Sequence, residues 1–294
     1  MISYRWLRLA LSLVWLAAAA GAETYELKNG DKISGEVVSL DDERIVLEHS
    51  VFGQVEIPLT EVAPAKGPRP GLFGTPLLAG WTRTFMLGVN GERGESETAD
   101  VLAALDLDYK DDSLRWKVDG RYTFSSAETE TTKHNALFEV TRARSFEDSR
   151  WFWLANGRWD WDEFRSWDHR LTLIAGLGYE LVQHENFTLR LAAGPAITRE
   201  FGGTDSWLYE AMVGAEAEWK LAENHTIEVS NRFFQAVNED SPYRNLTDAK
   251  WKWQLSDDPG LSLNLGIENE YESDPVPGVE PNDLKYFTSL GIDF

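Results

Sequence analysis

No cysteine occurs in the 294 residues. That removes thiol catalysis, thiolate metal sites and any disulfide framework. No apolar run is long enough for a membrane-crossing helix, which needs about 18 residues. Basic residues are scarce: 28 Lys and Arg stand against 49 Asp and Glu, and the net charge of −21 leaves no cationic face for a nucleic acid. Motifs that carry chemistry are also missing. The five histidines (His49, His134, His169, His184 and His225) form no HExxH and no pair at metal-ligand spacing. There is no GxSxG elbow and no phosphate-binding loop. Gly176-Leu177-Gly178 lies inside a strand pattern, where glycine allows close backbone approach. The acidic clusters (Glu92, Glu95, Glu97; Glu239, Asp240; Glu272, Asp274) lack EF-hand spacing and read as solvated loops. No catalytic residue, metal or cofactor is expected.

What the chain does have is 13 Trp, 14 Phe, 9 Tyr and 23 Gly. Aromatic and glycine-rich composition with period-two patterning points to an all-β protein. The first 22 residues are an address: Arg5 and Arg8, an apolar stretch over Leu9–Ala20, then Ala20-Gly21-Ala22 as a small-x-small cleavage site. An exported chain without cysteine fits a bacterial envelope. Residues 23–63 read as short strands with tight turns, among them Asn29-Gly30 and Phe52-Gly53-Gln54, and suggest a small SH3-like or Sm-like β domain. Its core is marginal in size, so it is expected to have a periplasmic partner or a structural role beside the larger domain. Residues 64–80 hold four Pro and four Gly and read as a semi-extended linker.

From Trp81 to Phe294 the alternation repeats. Twelve candidate strands lie at about 81–90, 99–110, 113–124, 134–144, 151–162, 166–179, 186–197, 206–219, 225–236, 244–255, 261–271 and 285–294. They are longer than soluble strands usually are and match the length that spans a bilayer. Their two faces differ in chemistry. One carries Asp106 and Asp108; Arg115, Lys117, Asp119 and Arg121; Arg158, Asp160 and Asp162; Asp168 and Arg170; Arg190; Glu210, Glu216 and Glu218; Arg232; Glu268 and Glu270. The other is apolar and has aromatic ends: Tyr109, Trp116, Tyr122, Trp151, Trp161, Trp167, Tyr179, Trp207, Tyr209, Trp219, Tyr271 and Phe294. A packed soluble core has no reason for aromatics at both ends of each stripe. A bilayer does, because aromatic girdles bracket its apolar band. Every backbone group in lipid must pair, so the sheet must close. The expected fold is a closed antiparallel transmembrane barrel of about 12 strands, with the charged face lining a lumen as a salt-bridge network.

The chain alternates to its last residue through Tyr286, Thr288, Leu290, Ile292 and Phe294. Such a terminal strand resembles the signal read by the barrel-assembly machinery of bacterial outer membranes. Periplasmic turns are expected at Asp111-Asp112, Ser145–Arg150, Glu180–Glu185, Lys220–Asn224 and Ser256–Gly260. Outer loops are expected at Glu92–Glu97, Ser125–Lys133, Glu163–Arg165, Arg199–Asp205, Val237–Tyr243 and Glu272–Leu284.

Asp160 and Asp162, then Arg170 and Leu171-Thr172-Leu173-Ile174-Ala175-Gly176-Leu177-Gly178-Tyr179, then Leu191-Ala192-Ala193-Gly194-Pro195 and Glu200 resemble the salt-induced outer-membrane proteins (YdiY-like). The likeness covers about 81–294. It implies an outer-membrane barrel in contact with outer-membrane lipids, with residues 23–63 in the periplasm, and it implies no reaction. Three functions are then open: a narrow cation-preferring pore, a non-conducting structural or interaction barrel, or a rim enzyme built on His134 and Asp168. The last lacks a serine paired with His134.

Overall fold

The computed structural model describes residues 23–29, 31–41, 43–62, 69–93, 97–128, 130–203, 207–237, 242–257, 259–275 and 280–294. The expected address segment, with Ala20 and Ala22, and linker residues 64–68 lie outside the described residues. The chain divides into two compact units, residues 1–67 and 68–294.

The first unit is an antiparallel meander of β1 (Glu23–Glu26), β2 (Lys32–Leu40), β3 (Arg44–His49) and β4 (Gly53–Pro58). Alternation turns Ile45, Leu47 and Ile57 inward, where Ile33, Val37, Val55 and Val62 pack on them. One antiparallel bridge, Leu27–Val62, returns the chain after β4 to the end of β1. Among the described residues no fifth strand forms, so the unit is a four-strand meander with a bridged return. Asp41 sets the β2–β3 turn: its Oδ1 accepts the N–H of Glu43 at 2.9 Å and of Arg44 at 2.8 Å. Those two donors hold its carboxyl below the ordinary value.

The second unit is a closed ring of twelve antiparallel strands. In order they are β5 (Thr82–Arg93), β6 (Glu97–Lys110), β7 (Leu114–Ala127), β8 (Glu130–Ser145), β9 (Trp151–Asp162), β10 (His169–His184), β11 (Phe187–Phe201), β12 (Trp207–Ala222), β13 (His225–Ala236), β14 (Tyr243–Asp257), β15 (Gly260–Glu272) and β16 (Asn282–Asp293). Strand β16 pairs with β5 and shuts the ring. The first and last strands therefore begin and end at the same rim, here the near rim. It also carries the short connections at 111–113, 146–150, 185–186, 223–224 and 258–259.

Several expected boundaries shift. Strand β10 runs to His184, so residues 180–184 are strand and not turn; an irregularity between Glu180 and Val182 resets the register and lets pairing continue. Strands β7 and β8 extend to Ala127 and from Glu130, which reduces the expected loop 125–133 to residues 128–129. Strand β11 continues to Phe201, three residues into the expected loop. The strand expected from 166 begins at His169. The linker is also more compact where it is described. A 3-10 turn at Leu72–Gly74 and the bonds Leu72 N–H to Leu77 O (2.8 Å) and Gly80 N–H to Arg69 O (2.9 Å) fold residues 69–80 back on themselves.

Burial separates the two faces of the ring. Outward Leu177 and Val213 are 53% and 59% exposed, while inward Glu210 and Asn264 are 4% and 1% exposed. A soluble sandwich would show the reverse. Apolar outside and charged inside is the arrangement of a membrane-spanning barrel.

Candidate functional site

Register assigns the inner wall. Asp106 faces Asp119, Asp119 faces Glu139, and Glu139 faces Arg158 on four successive strands. Continued around the ring, the same register puts Asp108, Arg115, Lys117, Arg121, Asp160, Asp162, Arg170, Arg190, Glu210, Glu216, Glu218, Arg232, Glu268 and Glu270 on that wall. These residues do more than line a channel, because their ion pairs join strands that are not neighbours.

Near the near rim Arg115 of β7 meets Glu216 of β12 at 3.3 Å. One level further in, Lys117 of β7 lies 3.8 Å from Glu228 of β13, and Lys250 of β14 lies 3.0 Å from Asp106 of β6. Mid-barrel, Arg121 of β7 pairs with Glu268 of β15. At the same depth Glu139 of β8 takes Arg232 of β13 at 2.5 Å, and the Asn156 amide donates to it at 2.7 Å. Arg158 lies 3.6 Å from that carboxylate and 2.8 Å from Asp160. Toward the far rim Arg244 of β14 donates to both oxygens of Glu210 at 3.0 Å and to Thr198 at 2.9 Å. The far mouth is tied by Arg170, which reaches Glu200, Glu270 and Glu272 at 2.8, 2.8 and 2.7 Å. Arg165, from the β9–β10 loop, adds contacts to Glu270 and Asp283 at 3.3 Å. A round twelve-strand ring would be roughly 24 Å across. Two side chains cannot bridge that gap, so pairs such as Lys117–Glu228 mean that opposite walls approach each other.

Between these levels sits an apolar layer absent from the sequence reading. Inward Ile174, Ala196, Met212, Phe234 and Leu246 cluster, with Leu154 against them. The Arg244 guanidinium lies 4.2 Å from the Phe234 ring. Their even-parity positions were the available signal: Met212 and Phe234 stand in step with the charged residues of their strands. Glu139, Arg165, Glu228, Arg244 and Lys250 belong to the lattice as well, and Glu200, named above only for its place in the motif after Pro195, joins them. At the near rim the lumen opens into a cavity of about 400 Å³ lined by Asp111, Phe152, Glu180, Arg190, Glu218 and Lys220.

Two expected positions are corrected. Asp168 is exposed in the loop before β10 and does not line the lumen. Trp167 is 5% exposed, 4.4 Å from the Arg170 guanidinium, and so is not at the lipid surface. In a loop, strand parity no longer holds, and a flat cation attracts the indole. The remaining aromatics stand at outward register positions: Trp151 on Tyr179 at 5.1 Å, Tyr243 on Tyr271 at 5.7 Å, and Trp207, Tyr209, Trp219, Tyr122 and Phe294 exposed. Tyr109 packs against Trp81, and Trp116 against Arg142. His134 faces outward at the far rim beside Trp161. Its Nδ1 is 2.5 Å from Glu163 and its Nε2 is 3.0 Å from the Tyr122 hydroxyl, so both nitrogens are engaged and neither by Asp168. Among the described residues no cluster of His, Asp or Glu is arranged to hold a metal.

Residues 85–294 match the family model described as "Protein of unknown function, DUF481". The chain belongs to the DUF481 family. No curated protein matches this DUF481 chain. Among solved structures it resembles an outer-membrane channel of Pseudomonas putida F1, at 8% identity and a TM-score of 0.42, over 73% of this chain and 94% of that one. It also resembles the NanC porin, at 10% identity and a TM-score of 0.40, over 72% and 98% of the two chains. OmpT of Vibrio cholerae gives 8% identity and a TM-score of 0.36, over 73% and 96%. The chain's own ring of twelve strands, closed by β16 on β5 and apolar on its outside, is a β-barrel of the membrane-spanning kind.

Proposed function

We propose that this barrel rests closed in the bacterial outer membrane, as a structural or interaction element of the salt-induced type, with its lumen occluded by its own ion-pair lattice. The observation that carries this reading is that Lys117–Glu228, Arg232–Glu139 and Arg170–Glu270 each link opposite walls, at three depths. The short connections and both barrel ends at the near rim support a periplasmic near rim, with residues 23–63 on that side. Inward carboxylates outside the ion-pair lattice, such as Glu218, give any residual leak a cation preference.

Planar-bilayer recording of the purified chain tests the reading. The wild type should give no discrete conductance at neutral pH. Removing both cross-lumen arginines, Arg232→Ala with Arg170→Ala, should unmask small cation-selective steps. Porin-like steps from the wild type would sink the closed-lumen reading in favour of a constitutive pore.

A further inference from the structure

Among the described residues, each guanidinium on the inner wall meets a carboxylate of this chain, as Arg115, Arg190 and Arg244 illustrate. The outward ones behave differently. Arg142 and Arg144 stand on the lipid face of β8, opposite Trp116 and Leu114 in register. Neither forms an ion pair with a described carboxylate. The Arg142 side chain lies between two indoles, 5.0 Å from the Trp116 ring and 5.3 Å from the Trp153 ring. Its Nε is buried and has no hydrogen-bond partner. Aromatic faces hold a guanidinium by its charge but accept none of its in-plane N–H donors. A half-buried guanidinium without a single acceptor is costly, and its Nη groups, which are not sealed off, are the donors left to take an anion from outside the chain.

The depth says which anion. Trp116 and Trp153 belong to the near-rim girdle with Trp151 and Tyr179, and such girdles mark the level of lipid headgroups. An oxyanion with two adjacent acceptor oxygens matches the guanidinium fork. Arg144, exposed one step closer to the rim on the same face, supplies a second positive arm. The acids of the following turn, Glu147 and Asp148, are exposed and pair with neither arginine. We infer that Arg142, held between Trp116 and Trp153, binds the phosphate of an anionic phospholipid in the near-rim leaflet, with Arg144 completing the site. The inference rests on the membrane reading above and on the near rim facing the phospholipid leaflet.

The test uses the full chain in mild detergent, with native mass spectrometry during titration with phosphatidylglycerol, phosphatidylcholine and inorganic phosphate. Every protein is also run on a gel with and without boiling, which reports barrel formation independently. The wild type should bind phosphatidylglycerol more tightly than phosphatidylcholine. Arg142→Gln should weaken the anionic lipid at least about tenfold, and Arg142→Lys by less, since it keeps the charge but loses the fork. Should Arg142→Gln fail to show the gel shift, the folded Arg142→Lys variant decides, and unchanged affinity in it overturns the site. Equal lipid binding by wild type and Arg142→Gln, both shifted on the gel, also overturns it. Displacement of the lipid by millimolar inorganic phosphate would assign the site to a soluble anion and reject the lipid. A wild type with no gel shift would instead remove the barrel reading itself.

Discussion

At the scale of single residues, Glu139 is the most exacting position in the lumen. Its carboxylate is shared by Arg232, Arg158 and Asn156, and its side chain is only 11% exposed. Burying three charged groups is not in itself stabilising, because the desolvation they suffer offsets most of their attraction. Breaking the set is a different matter. Removing Arg232 leaves Glu139 with one cation at 3.6 Å and an unused buried oxygen. Arg232→Ala should therefore destabilise the barrel by about 3 kcal/mol. The double change Glu139→Gln with Arg232→Met should cost less than either single change, since it removes the orphan along with its partner. Urea titration of the detergent-folded chain, followed by tryptophan emission, measures both. Equal costs for single and double variants would show that the partner left unpaired by a single change carries no penalty of its own. Little of this was readable beforehand. Period two assigned Arg232 and Arg158 to one face, but a face is not a partner. Glu139 pairs with a residue 93 positions away, and only closure of the ring brings the two together.

At the scale of elements, alternation is the strongest signal the chain carries, and it set strand number, direction and most faces. Ends of elements were harder to place. Polar residues such as Gln183 and Ser126 mark a turn to the eye, yet they continue the ladder, because a strand that projects beyond the bilayer no longer needs apolar residues. One polar set lies on the lipid face itself. Asn231 of β13 donates to Asn245 at 2.9 Å and to Thr247 at 2.7 Å, both on β14, and Thr247 donates to Asn245 at 3.0 Å. The three satisfy one another, which is what makes polar groups tolerable against hydrocarbon. Asn231→Ala should cost about 1–3 kcal/mol, because it strands the Asn245 amide nitrogen, which donates to Asn231 Oδ1 at 3.2 Å. Replacing all three by Val should be close to neutral, as no polar atom is then left without a partner. Thermal loss of the unboiled gel form across the series checks this. A triple variant weaker than Asn231→Ala would show that the set does more than satisfy itself.

At the scale of the whole barrel, the ring is only as continuous as its closing seam. Strands β10 and β11 pair from His169–Phe201 to His184–Phe187, whereas β16 and β5 pair only from Leu290–Leu87 to Asp293–Thr84. The seam compensates at the near rim through Asp293. Its carboxylate accepts the Thr84 hydroxyl at 2.6 Å and lies 3.4 Å from Arg69 and 3.7 Å from Lys252. The following residue donates its backbone N–H to Arg83 O at 3.1 Å, and the Arg83 guanidinium lies 5.4 Å from the Phe294 ring. Residues 69–80, which the Pro and Gly content marked as a slack linker, thus contribute a cation to barrel closure; composition reported their lack of regular structure but not their attachment. Few ladder bonds and one carboxylate hub make the seam the first place to open. Hydrogen exchange on the detergent-folded chain should show the amides of 84–87 and 290–293 exchanging faster than those of 171–179. Asp293→Ala should speed the seam amides by a further tenfold or more, through loss of a charged hydrogen bond worth about 1.5–3 kcal/mol, and leave β10–β11 unchanged. If exchange in β10–β11 rose equally, the barrel would open as one cooperative unit and the seam would hold no special place in it.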